Sequence, residues 1–239
     1  MKMKMLSAMC LAATTVLATS SVMAWESEDG QHSTSASIAL SSDYVWRGYS
    51  QTDEGAAISG SFDYAHSSGL YAGTWASNVD FDTPDNDVDA SMELDIYAGF
   101  SSAFGDTGIA YDVGVLRYLY PGEESLDWNE VYGSLSYSFF SLGVAHSGDV
   151  YGSGEKGTYY SLGFDYDLPY DVSFSAGYGY YDYDEEVSEE NHQDYRIGVA
   201  KDFAGFTFDM TYYDMDGDGE DAYGDLAEDR VVFTISKSL

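Results

Sequence analysis

The chain ends on DRVVFTISKSL, Asp229 to Leu239, in which Val231, Phe233, Ile235 and Leu239 fall on one parity and only Lys237 interrupts the series. Successive side chains of a strand point to opposite faces, so this spacing predicts a strand that runs to the last residue. A strand so placed predicts a β-barrel closed by its own C-terminus, because a closed sheet without a free edge is the form of sheet that spans a bilayer.

The other end of the chain agrees with export. Lys2 and Lys4 precede an apolar run from Met5 to about Leu17, and Val22, Met23 and Ala24 supply a small-residue cleavage site. Residues 1–24 therefore read as a signal peptide, with cleavage before Trp25, and residues 25–239 as one barrel domain. The single cysteine, Cys10, lies within the removed segment, where bulky Met9 before it argues against a lipid-modified cysteine. The mature chain then has neither disulfides nor thiolate metal sites.

Loss of Lys2 and Lys4 leaves seven basic residues against 42 acidic ones, a formal charge of −35. A phosphate backbone needs clustered Lys and Arg, so nucleic acid is excluded as a partner. Beyond residue 24 no segment reaches the roughly 18 consecutive apolar residues of a membrane helix. Any membrane crossing must be made by strands.

Period-two alternation predicts an all-β, transmembrane, antiparallel up-and-down barrel of about twelve strands. The strands are expected at 35–41, 57–65, 70–78, 91–100, 109–118, 129–137, 141–146, 158–166, 171–180, 194–200, 205–213 and 229–237. In the fourth, Met92, Leu94, Ile96, Ala98 and Phe100 oppose Glu93, Asp95 and Tyr97; in the eleventh, Phe206, Phe208, Met210 and Tyr212 oppose Thr207, Asp209 and Thr211.

Alternation also suits a soluble sandwich, and the connections decide between them. Connections 42–56, 79–90, 119–128, 147–157, 181–193 and 214–228 are long and acidic, whereas 66–69, 101–108, 138–140, 167–170 and 201–204 are mostly short. A barrel with long extracellular loops and tight periplasmic turns obeys this alternation, and a sandwich has no reason to. Aromatic residues cluster near both sets of connections, as two interfacial belts predict. Tyr64, Tyr71, Phe100, Tyr137, Phe139, Tyr166, Tyr170 and Phe206 are expected in the periplasmic belt; Tyr44, Trp46, Tyr118, Trp128, Tyr160, Tyr180 and Tyr212 are expected in the extracellular one.

The stretches SDYVWRGYSQT (Ser42 to Thr52), GLYAGTWASNV (Gly69 to Val79), ELDIYAGF (Glu93 to Phe100), YPG (Tyr120 to Gly122) and the terminal ISKSL occur in this order along the mature chain. Together they resemble the TorF family of porins. The resemblance implies an outer-membrane barrel with a channel role and transfers no catalytic or ligand-binding residue.

Extending the parities places Asp63, Glu93, Asp95, Asp112, Glu130, Asp165 and Asp209 in the lumen, with Arg47, Arg196 and Arg230 as basic counterparts. Arg47 and Arg230 are expected near each other at the extracellular end of the closing seam, where Glu93 and Glu130 also begin their strands. These residues form either a constriction that selects by sign and width or a salt-bridged plug. The loop from Asp214 to Asp225 matches calcium-loop spacing at Asp214, Asp216, Asp218 and Gly219, with Asp225 where a Glu is usual. A solvated acidic loop, or weak divalent-cation binding by several acidic loops, fits the same residues. No cofactor is expected.

The expected function is passive, cation-preferring diffusion of small hydrophilic solutes across the bacterial outer membrane. The expected partners are outer-membrane lipid, the barrel-assembly machinery and periplasmic chaperones, and small solutes or ions. A closed structural or adhesion barrel is the main alternative. A hydrolase is a third reading, but His146 and Ser147 are adjacent in a strand and point to opposite faces.

Overall fold

A computed structural model describes residues 24–83, 88–184 and 191–239. The signal-peptide assignment falls almost wholly outside the described residues. Twelve long strands follow in order: β1 His32–Ser41, β2 Ala57–His66, β3 Leu70–Thr83, β4 Val88–Ala103, β5 Ile109–Leu119, β6 Trp128–Tyr137, β7 Phe140–Ser147, β8 Gly157–Leu168, β9 Val172–Tyr183, β10 His192–Phe203, β11 Phe206–Met215 and β12 Arg230–Ser238. Each pairs antiparallel with its sequence neighbours, and β12 returns to β1 through Thr234↔Ser41 to Ser238↔Ser37. Leu239 prolongs that seam, exchanging backbone hydrogen bonds of 2.8 and 3.2 Å with Ala36. The terminal strand thus closes the barrel, leaving no unpaired edge among the twelve.

Outside, the expected face is apolar. Leu40, Val115, Val131, Leu142 and Val231 are each more than half exposed on an isolated chain, although each alternates with a lumen-facing neighbour. Side chains of this kind gain roughly 1.5–3 kcal/mol each when removed from water, and a bilayer removes them. Among the described residues no helix is long and apolar enough to cross a membrane.

The sheet reaches further than periodicity indicates. The segments 79–83 and 88–90, expected as part of a long connection, continue β3 and β4 past a register shift between Asn78 and Phe81. A bulge resets the alternation there, which hides the strand from a period-two reading. Val79 becomes buried, and the Phe81 ring packs 5.6 Å from Tyr120. The expected connection 181–193 likewise contracts, since β9 runs to Tyr183 and β10 begins at His192.

The short connections are tight, as expected. Phe203 pairs directly with Phe206 across Ala204 and Gly205, both at positive φ. Two residues of that hand form the turn whose twist matches paired strands.

Candidate functional site

The first long connection does not stay outside. It folds into the barrel mouth as a miniature hairpin, Val45–Trp46 paired with Tyr49–Ser50. Arg47 and Gly48 lie between them at φ 46° and 101°. A Cβ on Gly48 would stand 2.6 Å from Met215 Cγ, so glycine is required both for the turn and for its seat against the wall. Asp43 ties the base together, accepting hydrogen bonds from Ser50 Oγ at 2.7 Å, Thr52 Oγ1 at 2.8 Å and Arg230 Nη1 at 3.0 Å.

Arg47 at the hairpin tip is sealed in. Its Nη2 lies 2.6 Å from Glu130 Oε1 on β6, and the two side chains are each 1% exposed. The guanidinium carbon sits 4.3 Å from the ring centres of Trp46 and Tyr159 and 4.9 Å from that of Tyr181. Tyr118 donates to the other Glu130 oxygen at 3.0 Å and stacks on Trp128 at 4.1 Å. At the outer surface Tyr49 stacks on Tyr223 at 4.0 Å and hydrogen-bonds Tyr151 at 2.7 Å. The half of the lumen at the hairpin end is therefore packed with aromatic rings around the buried Arg47–Glu130 pair.

This arrangement corrects two expectations. Arg47 and Arg230 do not share a site: Arg47 engages Glu130 across the barrel, whereas Arg230 engages Asp43 and reaches Glu54 at 3.5 Å. Two guanidinium groups repel, and the Arg47–Gly48 turn carries Arg47 away from the seam. Tyr44, Trp46, Tyr118 and Trp128 are buried in the mouth, not arrayed in an extracellular belt. Trp128 shares the inward parity of Glu130, so the alternation already held that placement. Tyr71 likewise faces inward.

The lumenal carboxylates are held by tyrosines. Glu93 accepts from Tyr44 at 2.9 Å and from Tyr120 at 3.0 Å; Asp112 accepts from Tyr71 at 2.7 Å; Asp63 accepts from Tyr97; Asp194 accepts from Tyr159 at 2.9 Å. Tyr44 and Tyr120, both outside the strands, have pKa values raised by burial first and then by Glu93 and Asp95, which keeps them donors. Inward glycines make room for several of these rings. A Cβ on Gly99 would lie 2.3 Å from the Tyr71 oxygen, and one on Gly114 2.4 Å from that of Tyr132. The rings thus lie along the wall and do not cross the lumen.

The remaining predicted residues are spread around the barrel. Asp95 is buried two residues below Glu93, and its Oδ1 has no hydrogen-bond partner among the described residues. Asp165 is exposed. Arg196 lies flat over Gly177, whose hypothetical Cβ would touch Arg196 Nε at 2.6 Å, and forms no ion pair among the described residues. Asp209 accepts from Thr211 at 2.9 Å. Asp194, absent from the sequence reading, shares Arg196's parity and was available to the same argument. Asp43 was not, because it lies in the connection.

Below the hairpin the lumen is lined by small side chains, including Ser35, Ser61, Ser101, Ser136, Ser173 and Gly163, on the inward parity of their strands. Along β11, β12, β1 and β2 a cavity extends upward to Asp43 and Tyr44, within which the centre of a water molecule can range over ≈ 90 Å³.

In the acidic connection 214–228 the aspartates of the calcium-loop spacing are not brought together. Asp214 and Met215 end β11, Asp216 caps a short helix α1, Gly217–Tyr223, by accepting from Gly219 N at 3.1 Å, and Asp225 lies in the following turn. A helix starts where an ion would have to be wrapped, so Asp214, Asp216, Asp218 and Asp225 do not converge. Among the described residues no three acidic or histidine side chains are grouped as a metal would need. The hydrolase pair is split by the wall itself: His146 is exposed outside and bonds Thr158 at 2.9 Å, while Ser147 is buried inside.

A family model described as bacterial protein of unknown function (Gcw_chp) matches residues 26–239, so the chain belongs to that family. No curated protein matches it in sequence. Among solved structures it is similar to a KdgM porin, with 8% identity, a TM-score of 0.55, and coverage of 85% of this chain and 97% of that one. A NanC porin gives 11% identity, a TM-score of 0.54, and the same coverage of 85% and 97%. A KdgM porin in complex with disordered oligogalacturonate gives 7% identity, a TM-score of 0.53, and coverage of 86% and 99%. At these identities the likeness establishes the fold, a closed twelve-strand antiparallel barrel of the kind porins have.

Proposed function

We propose that this protein is an outer-membrane, porin-like channel for small hydrophilic solutes with a preference for cations. The observation that carries the reading is how the lumenal charge is balanced. Tyrosine hydroxyls, which are neutral, hold Asp63, Glu93, Asp112 and Asp194, while two of the three lumenal arginines are already committed to Glu130 and Asp43. A hydrogen bond from a neutral donor fixes a carboxylate without cancelling its field, so the lumen keeps a negative potential that concentrates cations. Oligogalacturonate, which accompanies one of the similar porins, is a polyanion, and this lumen is unsuited to it.

Export with removal of residues 1–24, assembly by the barrel machinery with periplasmic chaperones, and kinship with the TorF porins belong to the same proposal. So does weak cation binding by the acidic connections. A second reading, a closed structural barrel, is favoured by one observation: the hairpin and the buried Arg47–Glu130 pair fill the extracellular half.

Reversal potential across a planar bilayer in a potassium chloride gradient separates these readings. Cation selectivity is expected, and it should weaken at 1 M salt, where the Debye length is about 3 Å. Replacing Asp63, Asp112 and Asp194 with Asn should reduce it. An anion-selective pore would sink the proposal, and a barrel that never conducts would favour the structural reading.

A further inference from the structure

Beneath the hairpin the cavity along β11, β12, β1 and β2 has an unusual lining. Hydroxyls of Ser37, Ser41, Thr234 and Ser236 ring it, Trp75 and Tyr213 supply aromatic surface, and no lysine, arginine or histidine among the described residues lines it. Two carboxylates do. Asp43 is neutralised by Arg230 at 3.0 Å. Asp209 forms no ion pair among the described residues: it is 5% exposed, Oδ1 accepts from Thr211, Oδ2 has no hydrogen-bond partner among those residues, and Arg196 acts on it only as a more distant charge. A buried carboxylate oxygen left unpaired costs several kcal/mol in the absence of a compensating donor, so the site is built to receive one.

We infer that this cavity binds a small organic ammonium ion, with its N–H groups directed to Asp209 and the serine hydroxyls and its alkyl part against Trp75 and Tyr213. The inference rests on the cation-preferring reading of the lumen and deepens it by naming a solute class. Three features favour an ammonium over a metal ion. The lining presents one uncommitted carboxylate and not the converging set that a divalent ion requires. The range of ≈ 90 Å³ for water centres exceeds one dehydrated ion several times over and suits a ligand of several heavy atoms. Aromatic faces attract alkylammonium groups, whereas strongly hydrated metal ions gain little there.

The test is a titration of the folded, full-length mature barrel in detergent with butylammonium chloride, read by tryptophan fluorescence and by calorimetry, with butanol as the neutral control. Saturable binding of butylammonium but not butanol is expected. Asp209→Asn should weaken it at least about tenfold, the loss that removing one charge-assisted hydrogen bond produces. Asp209→Glu should retain most of it. Ser236→Leu, which fills the cavity and leaves the carboxylate, should abolish binding and guards against a folding defect in the Asn variant. Undiminished binding in Asp209→Asn, or no saturable binding to a barrel that conducts cations, overturns the site while leaving the channel intact. Binding to a barrel that does not conduct upholds the site and removes the channel.

Discussion

The half of this lumen that holds the hairpin and the half beyond it are made by the same twelve strands, yet one is packed like a protein core and the other is lined like a water channel. Above, Trp46, Tyr118, Trp128, Tyr159 and Tyr181 enclose the Arg47–Glu130 pair. Below, serine and glycine take the inward positions, and the tyrosines that remain are laid along the wall by glycines on neighbouring strands. Closing a barrel fixes its girth, so the choice of inward side chains alone sets how much of that girth is open. In this protein the choice changes partway along the axis, and a folded connection completes the closed end.

The strongest way to break the contrast is at the ion pair. Arg47→Ala or Glu130→Gln leaves a buried charge or a buried polar group without its partner, and either should lower stability by about 3–5 kcal/mol. Urea unfolding from lipid vesicles, followed by tryptophan fluorescence, measures this, and single-channel conductance should rise if the hairpin loosens. The double variant Arg47→Met, Glu130→Leu should be less destabilised than either single change. Equal losses in all three would show that rings, and not charges, hold the hairpin.

A smaller effect is expected on the outer wall. Val115→Arg, near the middle of β5, places a charge against lipid and should cost about 2–4 kcal/mol in the same assay. In the tyrosine layer, Gly99→Ala forces the Tyr71 ring off the wall and should cost about 1–3 kcal/mol, as overpacking does. An unchanged stability there would mean the glycine serves strand geometry alone. The half away from the hairpin supplies the lower limit: Ser136→Ala should stay within about 0.5 kcal/mol of the parent. A large loss at Ser136 would abolish the distinction between the halves.

Much of this was legible in one dimension because alternation is a property of each strand by itself. Every one of the twelve strands lies where period two placed it, with ends shifted by a few residues, and Glu93, Asp95, Asp112, Glu130 and Asp209 face inward on the parity that named them. The same parity pointed to Tyr118 and Trp128, whose position beside long connections favoured an interfacial reading, and to Asp194, which the sequence reading leaves out. Where alternation broke, at the bulge after Asn78, the strand was lost from view.

The sequence by itself determined the class of object: an acidic chain whose final strand closes a barrel, with one apolar and one carboxylate-bearing face. Those features follow from local spacing, charge and the demand that every backbone group in lipid be paired. Only the tertiary structure decided that residues 42–56 turn inward, that Arg47 crosses to Glu130, that tyrosines hold the lumenal carboxylates, and that Asp214 to Asp225 starts a helix in place of an ion site. Each of these depends on which side chains from distant strands meet across the lumen, and a connection's direction is set by the partners it finds there, not by its own composition.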